Sequence, residues 1–238
     1  MWYLGGKIRL SKHITPIIKS YIKDDKTIFI DLFCGGCNII DKIDNTKNRI
    51  ANDSHSFLIE MWKELQSGWQ PNKLQFTKEY YTYVKNNQNN LPKYLVGLVG
   101  FHYSYGGKWW GGFARSRYDN HIEGSIEKTI KQMSNLIDVE FTCKDYRDYS
   151  DIKNAVLYCD PPYANTTQKS TRYDSDDFNH EDFWNWCKEM SKNNVVLVSE
   201  CDIPQYVEHE ILWEKVHNSN LSHKAITKSS EKLVKVNR

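Results

Sequence analysis

Four consecutive residues, Asp160-Pro161-Pro162-Tyr163, set a carboxylate, two ring-locked residues and an aromatic side by side directly after the apolar run Ala155 to Cys159. That run has the β-branched and apolar content of a buried strand, and the prolines forbid its continuation as a helix, so the strand must stop there. Ligands of open α/β sheets bind beyond the carboxyl ends of strands. An acceptor, Asp160, and a stacking face, Tyr163, would therefore project into one crevice. On these residues alone, an Asp-Pro loop that merely ends a strand is the alternative.

Other stretches share the same logic. Trp2-Tyr3-Leu4-Gly5-Gly6-Lys7 joins aromatics, a flexible glycine pair and a cation, which can lay backbone amides and a ring against a flat ligand or form an ordinary turn. Asp31-Leu32-Phe33-Cys34-Gly35-Gly36-Cys37 follows a second strand pattern and lets a nucleotide-like ligand approach the backbone. It is not GxGxxG, so no pyrophosphate is implied. Asp53 ends a further strand 22 positions after Asp31, the place of a ribose-hydroxyl acceptor in a dinucleotide-like half-fold, or else of a surface acid in a loop. Asp145-Tyr146 is one more acid and aromatic at a strand's end. From Tyr103 to Tyr118, two glycine pairs flank Trp109-Trp110, with Lys108, Arg115 and Arg117 interleaved. This suits an exposed hairpin whose cations reach base edges and phosphates, or a glycine-rich turn whose tryptophans pack on helices.

The elements that must position these residues alternate in an α/β pattern. Strands are expected at 27–33, 49–53, 140–143, 155–159 and 194–199, with a terminal pair at 211–216 and 232–236. Helical spacing marks 12–23, a helix opening at Ile39-Ile40, 57–65 and 180–190. A single crossover should separate the second and third strands, yet the gap between Asp53 and Glu140 is far longer. Something is inserted, and its helical patterns around Tyr80 to Val84, Leu91 to Phe101 and Ile126 to Ile137 make it mostly helical. The polar stretch from Asn165 to Asp177, with Tyr173 inside it, reads as a mobile lid or a plain surface loop.

Composition sets the bounds. The 238 residues suit one catalytic domain with an insertion, and the net charge of +2 means that any basic surface must be local. Aromatic content of 13%, with 8 Trp and 15 Tyr, serves base stacking or a core. No apolar run approaches the roughly 18 to 20 residues that span a bilayer, and no signal-like segment opens the chain, so a soluble cytoplasmic protein is expected. Cys34 and Cys37 have redox or half-zinc spacing, but no second pair completes a tetrahedral site. The six cysteines read as reduced thiols and no metal is expected.

With the DPPY stretch, Asp31 to Gly36 and Tyr3 to Lys7 in hand, the chain resembles the Dam-type family of S-adenosylmethionine-dependent DNA adenine N6-methyltransferases. Three motifs in the family's order, and the insertion between the second and third strands, carry the resemblance over nearly the whole chain. It implies an α/β fold, a Rossmann-like class I methyltransferase sheet with a mostly helical target-recognition insertion. The catalytic domain would be residues 1–66 and 139–238, and the inserted domain 67–138. The implied cofactor is S-adenosyl-L-methionine, the implied partner double-stranded DNA, and the implied acceptor N6 of a flipped-out adenine.

By resemblance, Tyr3 and Lys7 border the cofactor, Asp31, Phe33, Cys34 and Gly35 form the turn under its methionine part, and Asp53 binds its ribose. Asp145 and Tyr146 would flank its adenine. Asp160 would bridge cofactor and target base, with Pro161 and Pro162 shaping the loop and Tyr163 stacking on the base. Lys108, Trp109, Trp110, Arg115, Arg117 and Tyr173 would face DNA. Trp2 stands where many relatives carry a cation, and Gly106 to Arg117 differs from the usual recognition hairpin, so a GATC target does not carry over. The expected state is a monomer in a prokaryotic cytoplasm, whether the chain is cellular or phage-encoded. The alternatives are a DPPY-type RNA guanine-N2 methyltransferase and an inert DNA-binding protein on the same fold.

Overall fold

The computed structural model describes residues 1–71, 74–114, 121–163, 178–219 and 227–238. Its frame is a seven-stranded sheet: β1 (Ile28–Asp31), β2 (Arg49–Asn52), β3 (Val139–Thr142), β4 (Ala155–Cys159), β5 (Val195–Glu200), β6 (His209–Ser219) and β7 (Thr227–Val236). Across the sheet the order is β3-β2-β1-β4-β5-β7-β6. The first five strands are parallel, while β7 enters antiparallel against β5 and pairs with β6. Chain order runs one way from β1 to β3 and the other way from β4 to β5, so the direction reverses between β1 and β4. That is the topological switch point where ligands of open sheets bind.

Every residue of β4 is buried, as expected of a parallel strand covered on both faces. The strand period of two sorts the core. Phe29, Val156, Tyr158 and Leu197 belong to one face, and Ile30, Leu157, Val196 and Val198 to the other. On the second face lies α6 (His180–Met190), whose Phe183, Trp184 and Cys187 are buried and whose first turn is capped by the Asn179 side chain.

The first face carries α1 (Ser11–Ser20) and α2 (Ser56–Gln66), and beyond them the inserted helices α3 (Lys78–Asn86), α4 (Lys93–His102) and α5 (His121–Gln132). Trp62 of α2, Val96 and Leu98 of α4 and Ile126 of α5 share one hydrophobic cluster with the sheet. Gly97 permits this. A Cβ at that position would stand 2.1 Å from the Phe57 carbonyl oxygen, so α4 meets the start of α2 almost backbone to backbone. No helix among the described residues is long and apolar enough to cross a membrane.

Three expectations need correction. No α-helix follows the glycine turn, only a single 3-10 turn at Ile40–Lys42. The segment beyond it is rich in Asp, Asn and Thr, whose side chains compete for backbone groups: Thr46 Oγ1 donates to the Thr27 carbonyl at 2.5 Å. The last inserted helix starts at His121 and ends at Gln132, and the apolar positions Leu136 and Ile137 follow it in a turn, Leu136 buried and Ile137 exposed. The terminal strand pair is also longer than its apolar core, because pairing continues along β6 and β7 past the hydrophobic residues.

Candidate active site

The site is built from strand ends. Asp31 closes β1 and stands in register with Tyr158, two residues before Asp160. Its carboxyl is 1% exposed, and neither oxygen has a donor at good hydrogen-bond geometry among the described residues. Burial drives its pKa well above the usual range, and the nearby carboxyls of Asp160 and Asp53 push it further. The turn that follows places Gly35 at φ +46°, in the left-handed region that glycine tolerates. A Cβ there would also lie 2.7 Å from the Tyr3 ring, so Tyr3 rests directly on the turn.

Asp53, just past β2, accepts from the Gly35 amide at 3.1 Å and from the His55 amide at 3.0 Å. Burial raises its pKa, and these two amides oppose the rise. Asn52 ties neighbouring strand ends together: its amide nitrogen donates to the carbonyls of Leu32 at 3.1 Å and Lys144 at 3.0 Å. Past β3, Asp145 caps a short 3-10 turn and holds Arg147 in a two-pronged pair, its oxygens 2.7 and 2.9 Å from the guanidinium. The Arg147 hydrogen bonds depress its pKa. Tyr146 turns inward to an aromatic wall, its ring 5.9 Å from both Phe33 and Phe178 and 5.5 Å from Phe183.

Across the switch point from Asp31, the Lys7 ammonium lies 2.6 Å from each oxygen of Asp160, 3.2 Å from the Gly5 carbonyl and 4.9 Å from the centroid of the Tyr163 ring. Lys7 is buried, 6% exposed. A further carboxylate, Glu231 of β7, stands 3.4 Å from the same ammonium and accepts the Tyr163 hydroxyl at 2.8 Å. Burial, with Asp160 and Glu231 beside it, raises the Tyr163 phenol far above its ordinary pKa, so it is a neutral donor. At the end of β5, Glu200 is 1% exposed, and burial pushes its pKa up to about 7.

A cavity of about 690 Å³ opens at these strand ends, with Glu231 and Glu200 behind its lining residues. It brings together Tyr3, Lys7, Asp31, Phe33, Cys34, Gly35, Asp53, Asp145, Tyr146 and all of Asp160 to Tyr163. Lys108 and Trp109 also reach it, whereas Trp110 does not line it. Sequence reasoning passed over Glu231, Glu200, Arg147 and His55. His55 could have been found, since it precedes an apolar helical run, and its Nδ1 caps α2 by accepting the Leu58 amide at 3.0 Å.

Residues 103–114 form a hairpin stem, with Tyr105 donating to the Gly112 carbonyl and Ala114 to that of Tyr103. Its tip does not project as an exposed hairpin would. Trp109 packs among His55, Phe57 and Phe101, and Trp110 lies 5.2 Å from Tyr81. The physical reason is Gly100, where a Cβ would lie 2.2 Å from the Trp109 ring. The face of α4 is flat enough there to accept an indole. Arg115, Arg117 and Tyr173, and the stretch read as a lid, lie outside the described residues.

A model of the family described as D12 class N6 adenine-specific DNA methyltransferases matches residues 3–98 and 110–235. The chain is 23% identical over 283 residues to the type II methyltransferase M.FokI of Planomicrobium okeanokoites, covering 99% of this chain and 42% of that protein. It thus spans less than half the length of that relative. Among solved structures it is similar to a putative methylase from Haemophilus influenzae, at 11% identity and a TM-score of 0.37, over 97% of this chain and 89% of the other. An rRNA methylase from Streptococcus thermophilus is similar at 9% identity and a TM-score of 0.37, over 96% of this chain and 97% of the other.

Proposed function

The chain belongs to the D12 class N6 adenine-specific DNA methyltransferases, and from that premise we propose that it transfers the methyl group of S-adenosylmethionine to N6 of an adenine turned out of duplex DNA. The observation that carries this reading is the Asp160–Tyr163 pair. An acceptor carboxylate and an aromatic face already hold a nitrogen donor between them, the Lys7 ammonium. An adenine amino group needs the same two partners.

The cavity fits the cofactor by its donor set. Asp31 offers a buried carboxyl, with no well-aligned hydrogen bond among the described residues, to a cationic ligand group, and such a cation would offset the burial that raises its pKa. The Gly35 turn and the Tyr3 ring that rests on it border the cavity, Asp53 presents a carboxylate to ribose hydroxyls, and Phe33, Tyr146 and Phe178 wall a slot for a base. When bound, S-adenosylmethionine supplies an electrophilic methyl group on a cationic sulfur.

Adenine N6 is a weak nucleophile because its lone pair is delocalised into the ring, and base pairing hides it. Turning it out costs a few kcal/mol, which stacking on Tyr163 and hydrogen bonds to its edge recover. The Asp160 carboxylate and the Pro161 carbonyl are the acceptors for the two N6 hydrogens. Both would stabilise the positive charge that grows on nitrogen as the bond to the methyl carbon forms and the sulfur–methyl bond breaks, and one N6 proton would then pass through the Asp160 carboxylate to solvent. Holding N6 in line with the methyl group is a matter of positioning. Lys108, with Arg115 and Arg117, is assigned to the DNA side, and the reading is of a cytoplasmic monomer acting on double-stranded DNA.

The test is incubation of the purified protein with methyl-labelled S-adenosylmethionine and duplex DNA, followed by digestion to nucleosides. Label in N6-methyladenine is expected. No label in the DNA, or label found only in guanine of an RNA sample incubated in parallel, overturns the reading.

A further inference from the structure

Lys7 poses a problem for the proposed reaction, and Glu231 answers it. The ammonium takes both Asp160 oxygens and stands over the Tyr163 ring, the same acceptor and the same face that an entering adenine would use. Base and lysine therefore compete. Releasing a buried ammonium from its carboxylate is costly unless a second carboxylate receives it. Glu231 is that carboxylate. It stands 3.4 Å from the lysine nitrogen on a strand from the far end of the chain, and its side chain is 15% exposed.

The same Oε1 accepts the Tyr163 hydroxyl at 2.8 Å, which anchors the polar end of the ring. β7 places this carboxylate at the end of its pairing with β5: Glu231 pairs with Lys215 of β6, and the next residue, Lys232, pairs with Glu200 of β5. The Gly5 carbonyl also accepts from Lys7, at 3.2 Å, and Gly5 sits at φ +81°, a turn conformation that glycine tolerates.

We infer that Glu231 is a positioning residue for base entry: it fixes Tyr163 and receives Lys7 when the adenine amino group takes over Asp160. The inference rests on the proposed methyl transfer. A glutamine at 231 keeps an acceptor for the Tyr163 hydroxyl but removes the charge, leaving Asp160 as the nearest carboxylate that holds Lys7. A leucine removes both functions.

The experiment compares the wild type, Glu231→Gln and Glu231→Leu in single-turnover methylation of duplex DNA at saturating S-adenosylmethionine, alongside cofactor affinity and thermal melting. Glu231→Gln should slow transfer at least tenfold, and Glu231→Leu further, while cofactor affinity stays within twofold and both variants melt cooperatively. An unchanged rate in Glu231→Gln overturns the inference, and so does a loss found only in cofactor affinity. Should the leucine variant fail to fold, the near-isosteric glutamine variant decides alone. A wild type that places no methyl on adenine removes the proposed function and the inference with it, whereas an active wild type with an equally active glutamine variant removes the inference alone.

Discussion

Asp53 and Asp160 occupy equivalent places, each just past a buried parallel strand and each lining the same cavity, yet they are held in opposite ways. Two backbone amides hold Asp53, those of Gly35 and His55. Asp160 is held by a lysine side chain 153 residues away. Amides built into a turn and a helix start stay where the fold puts them, whereas a lysine stem has rotamers to spare. The β2 end is a fixed receptor, suited to a cofactor bound in one pose. The β4 end is an exchangeable acceptor, suited to a base that must arrive, react and leave.

The sharpest way to break this contrast is Asp160→Ala. If Asp160 polarises N6 in the transition state, the rate of methyl transfer should fall about 100- to 1,000-fold, the usual loss on removing one such acceptor. A variant within tenfold of wild type in a quenched single-turnover assay would show that another group accepts the N6 hydrogens.

A second test uses the charge that crowds the β4 side. Glu200 has its pKa raised from 4.5 to about 7, first by burial and then by Asp160, with the Cys201 and Asp202 amides and Lys7 opposing. Because the folded value lies above the unfolded one, its contribution to stability is fully present below about pH 4.5 and is lost as the pH climbs through 7. A rise of that size corresponds to about 3 kcal/mol. Glu200→Gln should therefore match wild type in urea unfolding at pH 4.5 and exceed it at pH 8. Equal stability of the two at pH 8 would mean that Glu200 is well solvated when charged.

The fixed receptor is probed by Asp53→Ala, which should weaken S-adenosylmethionine binding by about 1.5 to 3 kcal/mol, the range for a lost charge-assisted hydrogen bond. Its effect belongs in the calorimetric affinity for the cofactor, with DNA affinity unchanged. The opposite distribution would reverse the assignment of the two strand ends.

The same contrast explains what could be read in the sequence. DPPY, the turn from Asp31 to Gly36 and the over-long gap after Asp53 are signals among consecutive residues, so strand ends and insertion were legible. Glu231 was not. In the sequence it is one acid in a polar approach to an apolar run, and it acquires a partner only when β7 inserts antiparallel beside β5. The expected helix after Ile39 failed because two apolar residues imitate a helical start, while the Asp and Asn residues beyond them decide the backbone. The inward turn of Trp109 depends on the flat patch at Gly100, visible only once α4 and the hairpin are packed.

The smallest expected effect concerns Lys108, which joins the two regions. Its hairpin lies against the N-terminal segment: a Cβ at Gly107 would stand 2.5 Å from the Trp2 carbonyl oxygen, and the Leu4 amide donates to the Gly107 carbonyl at 3.4 Å. The backbone that carries Lys7 to Asp160 is thus braced by the loop assigned to DNA. Lys108 is half-buried, and its stem packs under Gly111, where a Cβ would meet it at 2.9 Å. A lysine so anchored serves a phosphate better than a base edge, since it offers a point charge without a planar fork. Lys108→Ala should then reduce the dependence of log DNA affinity on log salt by about one unit, equally for all duplex sequences, and leave cofactor affinity unchanged. Because the loop braces the N-terminal segment, the transfer rate at saturating DNA is the stricter measurement. A fall there with an unaltered salt slope would place Lys108 with Lys7, as part of the base site, and would remove it from the DNA backbone.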